Sequence, residues 1–141
     1  MSGVYAQRTA VSPEKSRAEL EKTLSRYGAS RFGYATEPGR AMVQFEAHDR
    51  RIRFIIPMPD VGARMTLPQR EQRIRQLWRA LVLVVKAKLE AVSAGITTFE
   101  DEFLAHTLLP DGRTFGDWTR DPANAAALHA GNMPPMLPPP K

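Results

Sequence analysis

The sequence predicts an α+β domain: an N-terminal helix, a three-stranded antiparallel meander, a long basic amphipathic helix, a short C-terminal helix and a proline-rich tail. Three observations carry this. Apolar residues recur at helical spacing over 13–27 and 69–94, they alternate with period two between 31 and 56, and turn residues stand where one pattern yields to the other. The organisation expected is an extended arm at 1–11, one domain at 12–130 and the tail at 131–141.

Each element has its own signals. Ser12-Pro13-Glu14 offers a hydroxyl cap, a proline at the first helical position and an acid at the positive helix end. Leu20, Leu24 and Tyr27 form a narrow apolar stripe, and Gly28 stops the helix. Arg31-Phe32-Gly33-Tyr34 leads into Glu37-Pro38-Gly39-Arg40, with Pro-Gly as the central pair of a type II turn. Ala41, Val43, Phe45 and Ala47 then alternate with polar neighbours, as do Ile52, Phe54 and Ile56 after a corner at Asp49-Arg50. Pro57 and Pro59 end the last strand, and a loop runs to Leu67.

From Gln69 to Ala94, Ile74, Leu77, Trp78, Leu81, Val85, Leu89 and Val92 share one broad face, and Gly95 closes the helix. At 1.5 Å per residue this helix is roughly 39 Å long, more than a small sheet covers, so part of it must pack elsewhere. Leu83 falls outside the main apolar arc, so its cover comes from another part of the chain or from a second subunit in a homodimer. A threonine followed three residues later by an acid starts a third helix carrying Phe99, Phe103 and Leu104. Pro110-Asp111-Gly112-Arg113 is a turn, and 124–130 has room for one or two helical turns.

With 141 residues, 43% hydrophobic and 25% charged, the chain suits one domain with a core. The absence of cysteine excludes disulfides, thiolate metal sites and cysteine nucleophiles. The most apolar run, Ala80 to Val85, is far below the roughly 20 residues of a spanning helix, and no signal-peptide pattern begins the chain. A cytoplasmic protein without membrane contact is expected.

Charge is uneven. Residues 1–95 hold 17 Lys/Arg and 9 Asp/Glu, whereas 96–141 hold 3 and 6, within an overall net charge of +5. The excess concentrates on the third strand and the long helix and points to anionic partners. Arg51 and Arg53 share one side of their strand, and Arg75, Arg79 and Lys86 lie within about 40° of one another on the helix. If the two sets adjoin, they form a track for a phosphate backbone, with Phe32 and Tyr34 as stacking faces for unpaired bases. The alternative is that these arginines solvate the helix and both aromatics are core.

Catalytic signals are sparse. Glu102 and His106 are spaced to share a helix face, but no second ligand pair accompanies them, so a surface contact accounts for them. Glu100, Asp101 and Glu102 are explained by capping and the helix dipole. No phosphate loop, dinucleotide fingerprint or nucleophile elbow is present, so no enzyme, metal or cofactor is expected. The proline-rich end favours polyproline II, in which Met136, Leu137 and Pro138 either dock in a partner's groove or fold back over the domain.

The stretch Val11-Ser12-Pro13-Glu14 through Leu24, then Arg26-Tyr27-Gly28-Ala29, resembles the start of a family of small uncharacterised proteins encoded in phage and prophage genomes. The likeness continues through Trp78–Leu81, Lys86–Val92, Phe99–Leu104 and Pro110–Thr114. It implies a phage or mobile-element origin and a bacterial host cell, and transfers no functional residue. In topology alone, the meander feeding a long helix is similar to the core of phage single-strand annealing proteins, which hold DNA along a basic groove.

The function expected is therefore binding of single-stranded nucleic acid in phage replication or recombination, through Arg51, Arg53, Arg75, Arg79, Lys86, Phe32 and Tyr34. The alternative is a small phage-encoded module that inhibits or redirects a host protein.

Overall fold

The computed structural model describes residues 6, 8–60, 62, 64–129, 131, 136–137 and 140. Helix α1 (Pro13–Arg26) begins where the Ser12 hydroxyl accepts from the Lys15 N–H at 3.2 Å, and ends at Tyr27 with Gly28 at φ +83°. Strands β1 (Ser30–Glu37), β2 (Arg40–Ala47) and β3 (Arg50–Pro57) follow as an antiparallel meander in that order. Gly39, at φ +87°, takes the left-handed position of the first two-residue turn. The second turn has no glycine: His48 and Asp49 both adopt positive φ, 51° and 60°, the mirror-image geometry that matches strand twist.

Register separates the two sheet faces. Tyr34 opposes Val43, which opposes Phe54, and this face carries the buried Ala41, Val43, Phe45, Ile52, Phe54 and Ile56. Ala35, Met42 and Ile55 line up on the other face with Gln44, Glu46, Arg51 and Arg53, and among the described residues no helix covers it. The structure is thus an α+β fold of two layers, with the described helices on one side of the sheet.

Helix α2 (Leu67–Ser93) starts with a full capping box between Thr66 and Gln69 and buries Trp78, Leu81, Val82, Val85 and Leu89. Its excess length is taken up by α1, which runs beside it in the same direction: Glu19 meets Arg79, and farther on the Tyr27 hydroxyl lies 3.3 Å from Ser93 Oγ. The arm, expected to be extended, contributes to the fold. Ala6 is fully buried, and Gln72 of α2 donates to the Thr9 carbonyl at 2.9 Å.

Helix α3 (Phe99–Glu102) is one turn long and starts at Thr98. It delivers Phe99 and Phe103 to the core, where Phe103 meets Phe45 and Phe54 edge-on at 6.1 and 6.3 Å. After a 3-10 turn at Leu104–His106, the Leu108 N–H donates to the Arg51 carbonyl at 2.8 Å, so this segment covers the outer edge of β3. The expected turn at 110–113 is present, with Leu108 and Thr114 bridged across it.

Helix α4 (Phe115–Arg120) was not anticipated from periodicity, because six residues are too few to show a stripe. Its capping box, Thr114 with Asp117, was legible in the sequence. Gly116 lets it approach the preceding turn, since a Cβ there would stand 3.0 Å from the Ala105 carbonyl oxygen. The chain then forms α5 (Pro122–Ala125) and a 3-10 turn at Ala126–Leu128. Met136 and Leu137 are exposed, and Pro138 lies outside the described residues. Leu83 is half-buried. Among the described residues, no helix is long and apolar enough to cross a membrane.

Candidate nucleic-acid interface

The basic residues of α2 have different fates. Arg79 Nη1 lies 2.9 Å from Glu19 Oε1 of α1, and Lys86 pairs with the other oxygen of the same carboxylate. Together they hold the Glu19 carboxyl below its ordinary range, the Lys86 hydrogen bond contributing most. Arg75 donates to Gln72 Oε1 at 3.1 and 2.5 Å. The ridge of Arg75, Arg79 and Lys86 therefore lies along the α1–α2 layer, while Arg51 and Arg53 lie on the uncovered face of the sheet. The two sets do not adjoin.

The aromatic pair also sits on the helix side. Phe32 is half-buried against the core. Tyr34 faces Trp78 edge-on at 6.1 Å, with the Arg17 guanidinium 4.4 Å from its ring centroid and 4.9 Å from that of Trp78. It is nonetheless 51% exposed, because β1 is the edge strand and α1 roofs it incompletely. Alternation put Phe32 and Tyr34 on one face; register with Val43 decides which face it is.

What the fold brings together is another set of arginines, around the β1–β2 turn. A cleft of about 490 Å³ opens between the start of α1, this turn and the first turns of α2. Arg17, Arg40 and Arg70 line it over Met58, Ile74 and Trp78. A shallower hollow of about 210 Å³ lies on the uncovered sheet face, lined by Ala35, Met42, Ile55, Arg40 and Arg53. Arg40 borders both, because it follows the turn at the end of the sheet where the two faces meet. Arg51 and Arg53, two residues apart on the same face, extend this strip along β3.

Pairing within the strip is incomplete. Arg17 reaches Glu14 only at 3.8 Å, Arg40 pairs with exposed Glu37, and Arg53 donates to Gln44 Oε1 at 3.3 Å and to the Gly112 carbonyl at 3.4 Å. Arg70 Nε is buried with no hydrogen-bond partner among the described residues. A buried donor left unmade costs about 1–3 kcal/mol, so this atom calls for an acceptor. The sequence placed Arg70 in the basic segment, but nothing in it set Arg70 apart from Arg73 or Arg75, and Arg17 and Arg40 carried no local signal at all.

Among the described residues no three His, Asp or Glu side chains gather as a metal site. Glu102 instead meets Lys88, whose Nζ also donates to the Glu102 carbonyl at 3.0 Å. His106 stacks on Phe54 at 4.0 Å, and burial is the main cause that holds its pKa below the ordinary imidazole range.

Compared with known proteins, the chain matches no family model, no curated protein and no solved structure.

Proposed function

We propose that this protein binds single-stranded nucleic acid along the arginine strip that wraps the β1–β2 end of the sheet, and that it serves as a phage-type accessory factor in replication or recombination. The observation that carries the reading is the buried, unpartnered Nε of Arg70 in a cleft it shares with Arg17 and Arg40. A guanidinium fork in such a cleft suits phosphate oxygens, which accept two parallel N–H bonds. The half-exposed ring of Tyr34, braced by Arg17 and Trp78, offers a stacking surface for an unpaired base nearby.

From the cleft the strip continues over Arg40 to Arg53 and Arg51, beside the exposed apolar surface of Ile55. A strand following this path bends around the end of the sheet. A stiff duplex bends only at a cost of several kcal/mol over such short lengths, which favours a single strand.

The test is fluorescence anisotropy with labelled single-stranded DNA, single-stranded RNA and duplex across a salt series. Tight single-strand binding is expected, with log K falling against log salt by about 0.7 per phosphate contacted. Absence of binding at low salt overturns the reading.

A second reading rests on the tail. Met136 and Leu137 are 97% and 83% exposed, as a segment that docks on a partner protein would be. A small phage-encoded module that inhibits or redirects a host protein would use them, and truncation after Asn132 would abolish that interaction while sparing nucleic-acid binding.

A further inference from the structure

The two outer edges of the sheet are treated differently. On β3, Leu108 caps the Arg51 carbonyl and Thr107 bridges Ile52. On β1, every residue from Ser30 to Glu37 is exposed except the half-buried Phe32. An open edge of this length is a template for another strand.

The direction of its backbone groups follows from the turns. A two-residue turn makes Glu37 and Arg40 a hydrogen-bonded pair, and alternation then pairs Ala35 with Met42 and Gly33 with Gln44. The neighbouring ladder keeps the complementary phase, since the Met58 N–H donates to the Gly39 carbonyl at 3.0 Å. The N–H and C=O groups of Tyr34 and Thr36 therefore point away from β2, toward the open edge.

We propose that this edge joins two copies of the chain, β1 pairing antiparallel with β1 about a two-fold axis at Tyr34 to make one continuous sheet. In that register Arg31 of each copy faces Glu37 of the other, once at each end. Both side chains lie on the uncovered face, where Arg31 now reaches Glu46 at 3.2 Å and Glu37 reaches Arg40. They are 79% and 53% exposed, so each can serve a second partner. Gly33 then opposes Ala35, and their small size permits close approach. Registers centred on Gly33 or Ala35 leave Arg31 and Glu37 facing Ala or Gly, so charge complementarity selects the Tyr34 axis.

The irregularity between Ser30 and Gly33, where Arg31 adopts φ +53°, keeps the pairing about this axis short and centred on Gly33–Ala35 of each copy, with Arg31 and Glu37 meeting through their side chains at its two ends. A short interface of this kind gives a dimer that dissociates on dilution. The dimer places the two Tyr34 residues beside each other, so it shares that residue with the proposed base-stacking surface, but it is tested without nucleic acid.

Sedimentation velocity on the full chain from micromolar to near-millimolar concentration is the experiment. A monomer–dimer equilibrium is expected for the unaltered protein. Thr36→Pro removes an outward N–H without breaking the β1–β2 ladder, and should weaken association by about tenfold or more. Arg31→Glu and Glu37→Arg should each weaken it, and the double exchange should restore it to within about threefold of the original. Circular dichroism confirms that each variant is folded. A monomer at every concentration, a dimer indifferent to Thr36→Pro, or a double exchange that fails to recover would each overturn the proposal.

Discussion

Arg79 and Arg70 stand on the same helix, one facing α1 and the other the cleft below the β1–β2 turn. Arg79 shares the Glu19 carboxylate with Lys86, so two cations and an acid tie α1 to α2. Arg70 has a buried Nε that finds no hydrogen-bond partner among the described residues. The same residue type is structural in the first place and a ligand candidate in the second, and the difference lies in what the surrounding elements supply. Counting arginines along a helix locates positive charge; only tertiary pairing shows which of it is already spent.

Several substitutions test that distinction. The largest effect is expected from Arg40→Ala combined with Arg70→Ala, which should weaken single-strand binding at least about tenfold, or 1.4 kcal/mol, and flatten its salt dependence. Circular dichroism should show the fold intact, because neither side chain belongs to the core.

On the other side, Glu19→Gln should cost about 1 kcal/mol of stability in denaturant melts, a modest figure because the three side chains are partly exposed. It should not reduce nucleic-acid binding, since it frees two cations. Arg79→Ala with Lys86→Ala should change single-strand affinity by less than about threefold, equivalent to roughly 0.65 kcal/mol.

The smallest effects come with pH. Glu19 has a depressed folded pKa, so its contribution is present above its ordinary value near 4.5 and is lost as pH falls through the folded value. His106, a base whose folded pKa is also depressed, stabilises the fold while neutral; that stability is complete above its ordinary value near 6.5 and declines as pH falls below it. Thermal melts should therefore be flat above neutrality, then soften in two stages. The upper stage should vanish in His106→Gln and the lower in Glu19→Gln.

Much of the fold was legible because it is written in local chemistry. Ser12-Pro13, Thr66 and Pro38-Gly39 mark their boundaries by hydrogen bonds and backbone angles that neighbouring residues determine. The His48-Asp49 turn was harder, since its positive φ values fall on residues other than glycine, held where His48 stacks on Phe99 at 4.4 Å. Helix α4 was hidden by its brevity, although Thr114 and Asp117 announced its cap.

The candidate site was legible only in part. Arg51 and Arg53 are where alternation put them, on the uncovered face. Arg79 and Lys86 depend on Glu19, an acid in a different helix far away in sequence, which no local pattern reveals. Arg17, Arg40 and Arg70 come from three separate elements and meet only because the β1–β2 turn folds over the starts of α1 and α2.

The most direct measurement is the affinity of labelled single-stranded DNA, by anisotropy at low salt, for three proteins: the unaltered chain, Arg40→Ala with Arg70→Ala, and Arg79→Ala with Lys86→Ala. The account predicts loss of about tenfold or more in the first pair and near-unchanged binding in the second. The reverse order, or equal loss in both, would contradict it.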